Sequence, residues 1–110
     1  LVNGESYSAA EFFAACLREY DKATVVGEKT VGKGYYQQTI VLSDESAVNL
    51  STGKYFTPKG VNLTEQGGLT PDIPLAVDNE TAVKIYAGAI TPEEDPQLQA
   101  AIAAILQTNG

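Results

Sequence analysis

Histidine is absent from this chain of 110 residues, as are tryptophan and methionine, and cysteine occurs once. Without an imidazole, the Ser-His and Cys-His catalytic pairs are excluded within the chain. A general base working near neutral pH must then be a carboxylate, a phenol or a lysine. The single Cys16 makes no intramolecular disulfide, and no paired cysteines or histidines exist to build a zinc site at ordinary spacing, so neither metal nor cofactor is expected. Basic residues are also scarce: seven Lys and Arg stand against fourteen Asp and Glu, for a net charge of -7. That balance repels phosphate backbones and sets nucleic acid and anionic membranes aside as main partners. No run approaches the roughly 18 apolar residues of a membrane span, and no basic-then-apolar leader opens the chain.

What is present is a chain 44% apolar, enough for a real core of modest size and a single domain or part of one. Leu1-Val2-Asn3-Gly4 reads as the last residues of a strand and its turn, which predicts a piece of a longer protein. Apolar residues at Ala9, Phe12, Phe13, Cys16, Leu17 and Tyr20 have the three-and-four spacing of one helical face and predict a helix from about Ser8 to Tyr20. Ser8-Ala9-Ala10-Glu11 has the capping-box pattern at its start. Ala23 to Gly27 is a β-branched run suited to a buried strand, and strand, helix and strand in this order predict a crossover with parallel strands.

Glu28 to Gly34 is polar and glycine-bearing, and is expected as a loop whose backbone comes close to another segment. Gln38 to Ser43 and Ala47 to Thr52 read as strands joined by a hairpin turn at Asp44-Glu45-Ser46, with Lys54 to Phe56 extended beyond them. Turns are expected at Pro58-Lys59-Gly60 and Gln66-Gly67-Gly68. The two prolines in Leu69 to Leu75 restrict that segment to an edge or an extended connection. Helices are predicted from about Glu80 to Tyr86 and from about Pro96 to Leu106. The second carries a stripe of Leu98, Ala101, Ile102 and Ile105, with Asp95 as its cap.

Gly27 to Lys33 fits the first seven positions of the phosphate-loop pattern GxxxxGK. The eighth position is Gly34, not a magnesium-binding serine or threonine, and a strand-like run follows where a helix is required, so nucleotide binding is refused. Ser8 is explained by capping alone, yet a helix start also suits an acyl-transfer nucleophile, because the free amides and the positive dipole end face developing negative charge. Ala9 supplies one such amide. An isolated loop lysine is ordinarily solvated. Lys33, however, lies between Gly32 and Gly34, which let its backbone approach another segment and lead the side chain into a cleft where burial favours the neutral amine. Cys16 reads as a small hydrophobe on the helix face, and Tyr35, Tyr36 and Tyr55 as packing residues rather than acids.

Taken in order, Asn3-Gly4-x-Ser6-x-Ser8-Ala9-Ala10-Glu11, Ala23 to Gly34, Gln37, Leu42-Ser43-Asp44, Lys54 to Gly60 and Thr70-Pro71-Asp72-Ile73 resemble the C-terminal processing (tail-specific) serine protease family. The similarity is spread over about residues 1 to 75. It implies an α/β fold with a partial ClpP/crotonase-like core. Residues 1–77 would be the C-terminal part of a Ser-Lys protease catalytic domain, and 78–110 a C-terminal helical extension. The implied activity is hydrolysis of peptide bonds at or near protein C-termini through a Ser-Lys dyad and an acyl-enzyme.

The family nucleophile, the serine three before the glutamate, falls on Ser8 and not Ser6, and the family base in the Gly-Lys-Gly step falls on Lys33. The glutamine that orients the lysine in some members falls on Gln37. The acidic group described in others falls on Glu19 and ranks lower, because an amide holds a neutral amine without adding negative charge beside it. The implied partners are proteins or peptides with exposed C-termini, the preceding part of the catalytic domain and a PDZ domain, with self-association of the isolated segment. The implied location is extracytoplasmic, in the bacterial periplasm or at the cell surface. The chain departs from the pattern at Glu5, where glycine is common, and at Tyr7, where a small residue is usual. The alternative is a non-catalytic binding module that retains the protease fold.

Overall fold

A computed structural model describes residues 1–108. Its elements follow in the order α1 (Ala9–Glu19), β1 (Val26–Gly27), β2 (Tyr35–Val41), β3 (Ala47–Lys54), α2 (Leu63–Gln66), β4 (Ile73–Pro74), α3 (Asn79–Tyr86) and α4 (Pro96–Thr108). The chain is thus a mixed helix-and-strand fold. α1 stands where the apolar spacing predicts it, with Ser8 as its N-cap residue and Tyr20 as its C-cap. Its inward face overlaps only in part with the one predicted, sharing Phe12, with Cys16 and Leu17 half-buried. Glu11 and Ala15 are buried with Phe12 and Ala14 packed beside the core, while Phe13 and Tyr20 remain 66% and 62% exposed. The helix is rolled this way because several hydrogen-bond donors of a neighbouring loop converge on the Glu11 carboxylate.

The parallel crossover is present in short form. Val2 bridges to Gly27 in parallel, its amide donating to the Val26 carbonyl at 3.0 Å, and α1 is the connection between the two segments. On its other side β1 pairs in parallel with β4, Val26 opposite Ile73. β1 is shorter than the predicted strand, and just before it Val25 is tied to the same partner segment: its amide donates to Asp72 Oδ2 at 2.8 Å and its carbonyl accepts from the Asp72 and Ile73 amides. The proline-bearing segment at 69–75 contributes the two-residue β4, in keeping with its expected edge character. The buried core is small: Val2, Ala15, Val25, Leu63 and Leu69 form one cluster on which Phe12 packs. Phe12 also meets Tyr55 edge-on with ring centroids 5.0 Å apart.

β2 and β3 form the expected antiparallel hairpin, from Tyr35 opposite Lys54 to Val41 opposite Ala47, with a bulge between Tyr36 and Gln37. In its turn Asp44 Oδ1 accepts from the Ser46 amide and hydroxyl, and Glu45 adopts a left-handed conformation. The ribbon leaves much of its apolar surface exposed, including Val41 and Leu50.

The short helix α2 arises where only turns were expected. Asn62 caps it by accepting from the amides of Thr64 and Glu65, each at 3.1 Å, and Gly67 ends it with φ 70°. α3 is capped by Asp78, and α4 by Asp95, which accepts from Gln97 and Leu98 as expected. The stripe predicted on α4 is only partly covered, with Ile102 and Ile105 exposed. The most buried side chain of its first turn is instead Gln97, which donates to the Leu75 carbonyl at 2.8 Å and ties the helix to the end of β4.

Candidate active site

The turn before α1 is built from side chains. Asn3 Oδ1 accepts from the Glu5 amide at 2.9 Å and from the Ser6 hydroxyl, while Ser6 Oγ accepts from the Asn3 amide at 3.0 Å. Ser6 is therefore engaged in the turn. Two residues on, Ser8 takes φ 56° and ψ -122°, a backbone conformation that only glycine enters freely. Such geometry costs about 1–3 kcal/mol and persists only where the surroundings over-determine it. Here the Ser8 amide donates to Glu11 Oε1 at 2.9 Å, and its carbonyl accepts from the Phe12 amide at 3.0 Å. Ser8 and Glu11 thus form a capping box, in which the serine side chain meets the Glu11 amide and the Glu11 carboxylate makes the firmer bond to the Ser8 amide. Ala9, the first residue of α1, has an amide with no helical carbonyl to serve.

Glu11 does more than cap. Its carboxylate is fully buried and lies against the loop 28–34, where Oε1 accepts from the Lys33 amide at 2.5 Å and Oε2 accepts from the Gly32 amide at 2.8 Å and from the Thr30 hydroxyl. Among the described residues no cation pairs with it. Burial pulls its pKa up, but the Thr30 hydroxyl and the amides of Lys33, Gly32 and Ser8 outweigh burial and hold it below the ordinary glutamate value. One oxygen therefore holds the amides of Ser8 and Lys33 together. The two loops are joined again where the Val31 amide donates to the Ser6 carbonyl at 3.0 Å.

Lys33 is half-buried, and its ammonium lies over the Tyr7 ring, 5.6 Å from the centroid. No hydrogen bond joins it to the Ser8 hydroxyl in this arrangement. Gly32, with φ 86°, is required for the close approach: a Cβ there would lie 2.6 Å from the Gly68 nitrogen. The backbones of Ser8 and Lys33 are brought together, but the two orienting residues are not brought to the amine. Gln37 is exposed on β2 and donates at 3.4 Å to Ser51 Oγ of β3. Glu19, at the end of α1, accepts from the Thr57 hydroxyl and from the Lys59 amide and so anchors the loop after β3. Sequence reading gave Glu11 only its capping role. Its second set of donors lies 19 to 22 residues away in the chain, and no local pattern announces them.

With this geometry in hand, comparison with known proteins is decisive. The model of peptidase family S41 matches residues 1–75. The chain belongs to this family. It is 43% identical over 74 residues to a carboxy-terminal-processing protease of Bartonella bacilliformis, an overlap of 66% of this chain and 17% of that protein. A carboxyl-terminal-processing protease of Synechocystis is 36% identical over 102 residues, covering 93% of this chain and 22% of the relative. Among solved structures, a photosystem II D1 C-terminal processing protease superposes with a TM-score of 0.60 at 38% identity, covering 73% of this chain and 20% of that one. The chain thus spans about a fifth of the length of these relatives. The candidate residues Ser8, Ala9, Glu11, Glu19, Lys33 and Gln37 all lie inside the S41 match.

Proposed function

We propose that Ser8 and Lys33 are the nucleophile and general base of a serine endopeptidase that cleaves proteins at or near their C-terminal ends. The observation that carries this reading is the single Glu11 oxygen shared by the amides of both residues, beneath a serine in a glycine-type conformation. Ser8 Oγ attacks the scissile carbonyl, and the neutral Lys33 amine accepts the hydroxyl proton and returns it to the leaving amine. Water then releases the acyl group with the lysine again as base. The Ala9 amide and the positive end of α1 meet the developing oxyanion. For these steps the amine leaves the Tyr7 ring by rotation of its own side chain.

Gln37 is the better candidate for orienting the amine, because its amide adds no negative charge beside a lysine that must be neutral, and its bond to Ser51 Oγ, at 3.4 Å, is long. On this reading residues 1–77 complete a ClpP/crotonase-like catalytic domain and 78–110, whose last two residues lie outside the described ones, are a C-terminal extension carrying α3 and α4. The substrates are proteins with exposed C-termini, a PDZ domain selects them, and the enzyme works outside the cytoplasm, in the periplasm or at the cell surface. One oxyanion donor is worth about 3 kcal/mol, or 10²- to 10³-fold in rate, so residues 1–110 alone, without a second donor, should be almost inactive. The exposed apolar hairpin would drive them to self-associate.

The test is turnover of an unstructured C-terminal peptide by the intact protein. Ser8→Ala and Lys33→Ala should each lower kcat by about 10³-fold or more, and wild-type turnover in either ends the dyad reading. Labelling of Ser8 by a serine-reactive acylating probe separates a peptidase from a binding module that keeps the fold without the chemistry.

A further inference from the structure

The residue proposed as the base sits in no helix or strand, so nothing regular fixes its backbone. Side chains do so instead. The Gly32 and Lys33 amides donate to Glu11, the Lys33 carbonyl accepts from the Tyr55 hydroxyl, and the Gly34 carbonyl accepts from Asn62 Nδ2 at 3.0 Å. The remaining two groups, one on each side of the lysine, belong to Thr64: its hydroxyl accepts from the Gly34 amide at 2.7 Å and donates to the Gly32 carbonyl at 2.8 Å. A single oxygen thus closes a ring around Lys33, using its donor and an acceptor lone pair at once.

We propose that Thr64 is a positioning residue for Lys33, its hydroxyl setting the backbone from which the amine is aimed at Ser8. This inference rests on the dyad reading above. Thr64 is suited to the task because its mount is firm: the preceding Leu63 is buried in the core, Asn62 caps the turn, and Gly67 closes it. It is also the most specific of the contacts. Tyr55 packs on Phe12 as well, and Glu11 holds the nucleophile loop as well as the lysine loop. Among the described residues, the Thr64 hydroxyl bonds only to the two glycines that flank the lysine. Losing it leaves Gly34 N–H and Gly32 C=O seeking water, and each peptide plane beside the base is then held at one edge only, by Glu11 on one side and Tyr55 on the other. A shift of the reacting atoms by about 1 Å is enough to lower a rate by 10²-fold.

The experiment is peptide turnover by the intact protein with Thr64→Val, Thr64→Ser and Thr64→Cys beside Lys33→Ala. Thr64→Val keeps the shape and removes the hydroxyl, and kcat should fall about 10- to 100-fold with KM near that of the wild type and Tm lowered only modestly by the two backbone groups left without their partner. Thr64→Ser restores the hydroxyl and should recover most of kcat. Thr64→Cys supplies a weak donor and acceptor at similar size and should fall between them, which keeps the test open if the valine variant does not fold. Wild-type kcat in Thr64→Val or Thr64→Cys, or a loss in Thr64→Ser as large as in Thr64→Val, overturns the inference. If Lys33→Ala is inactive while Thr64→Val is unaffected, the inference alone falls; if Lys33→Ala turns over like the wild type, the dyad itself has failed.

Discussion

Replacing Glu11 by glutamine tests the central joint of the site. The carboxylate receives the amides of Ser8 and Lys33 on one oxygen, and the Gly32 amide with the Thr30 hydroxyl on the other. Glutamine keeps one oxygen and turns the other position into a donor. Set at Oε2, its NH2 group faces the Gly32 N–H, which loses its acceptor, while the Thr30 hydroxyl can turn to accept. One orphaned buried amide costs about 1–3 kcal/mol, and bonds that were charge-assisted weaken by about 1 kcal/mol each. Relief of the desolvation borne by a buried charge offsets part of this. A net local loss of about 2–4 kcal/mol follows, which is on the order of 10²-fold in the opening equilibrium of the loop.

The assay is hydrogen exchange of the Ser8, Gly32 and Lys33 amides in the intact protein, expressed as protection relative to the unstructured chain. Its pH dependence has a definite sign. Burial raises the Glu11 pKa, but its four donors lower it further, so the folded value lies below the ordinary 4.5. The stabilisation is complete above that value and is lost as pH falls through the lower, folded one. The gap between wild type and Glu11→Gln should therefore be full near neutral pH and close in acid, where the wild-type carboxyl is itself protonated. Equal protection at neutral pH, or a gap that persists undiminished in acid, refutes the reasoning.

Two further outcomes are expected. Tyr7→Ala removes the ring beside Ser8 and over Lys33, and should raise kcat/KM for peptides with bulky residues at the cleavage site relative to small ones, by about tenfold for a pocket opened by an aromatic ring; an unchanged ranking across a peptide series counts against a cleft narrowed by Tyr7. Burial, helped by the Glu19 charge, pushes the Cys16 thiol above its ordinary pKa. Its alkylation by iodoacetamide near neutral pH should accordingly run slower than that of a free thiol, and a rate equal to glutathione's would show that the thiolate is not suppressed.

Much of the architecture is legible in local pattern. The apolar spacing from Ala9 to Tyr20 and the Asp-Glu-Ser turn locate α1 and the hairpin, and Asp95-Pro96 marks the start of α4, because caps and turns are satisfied by residues next to them in the chain. α2 escapes because its four residues carry too little periodicity to register, and its cap is an asparagine that also serves Gly34 and Tyr55. The roll of α1 escapes as well. Apolar content alone favours Phe13 inward, whereas the donors that draw Glu11 inward come from residues 30 to 33.

By itself the sequence determined which candidate groups are available and their order along the chain: no imidazole, a serine at a helix start, a lysine between glycines, and the residues 1–75 that match the S41 family. Tertiary structure alone decided what holds them. Glu11 clasps both loops, Thr64 spans the lysine step, Gln37 pairs with Ser51 and Glu19 with Thr57. The physical reason is that a backbone amide shut away from water must find an acceptor wherever the fold brings one, and partners separated by 22 to 30 residues leave no periodic trace in the chain between them.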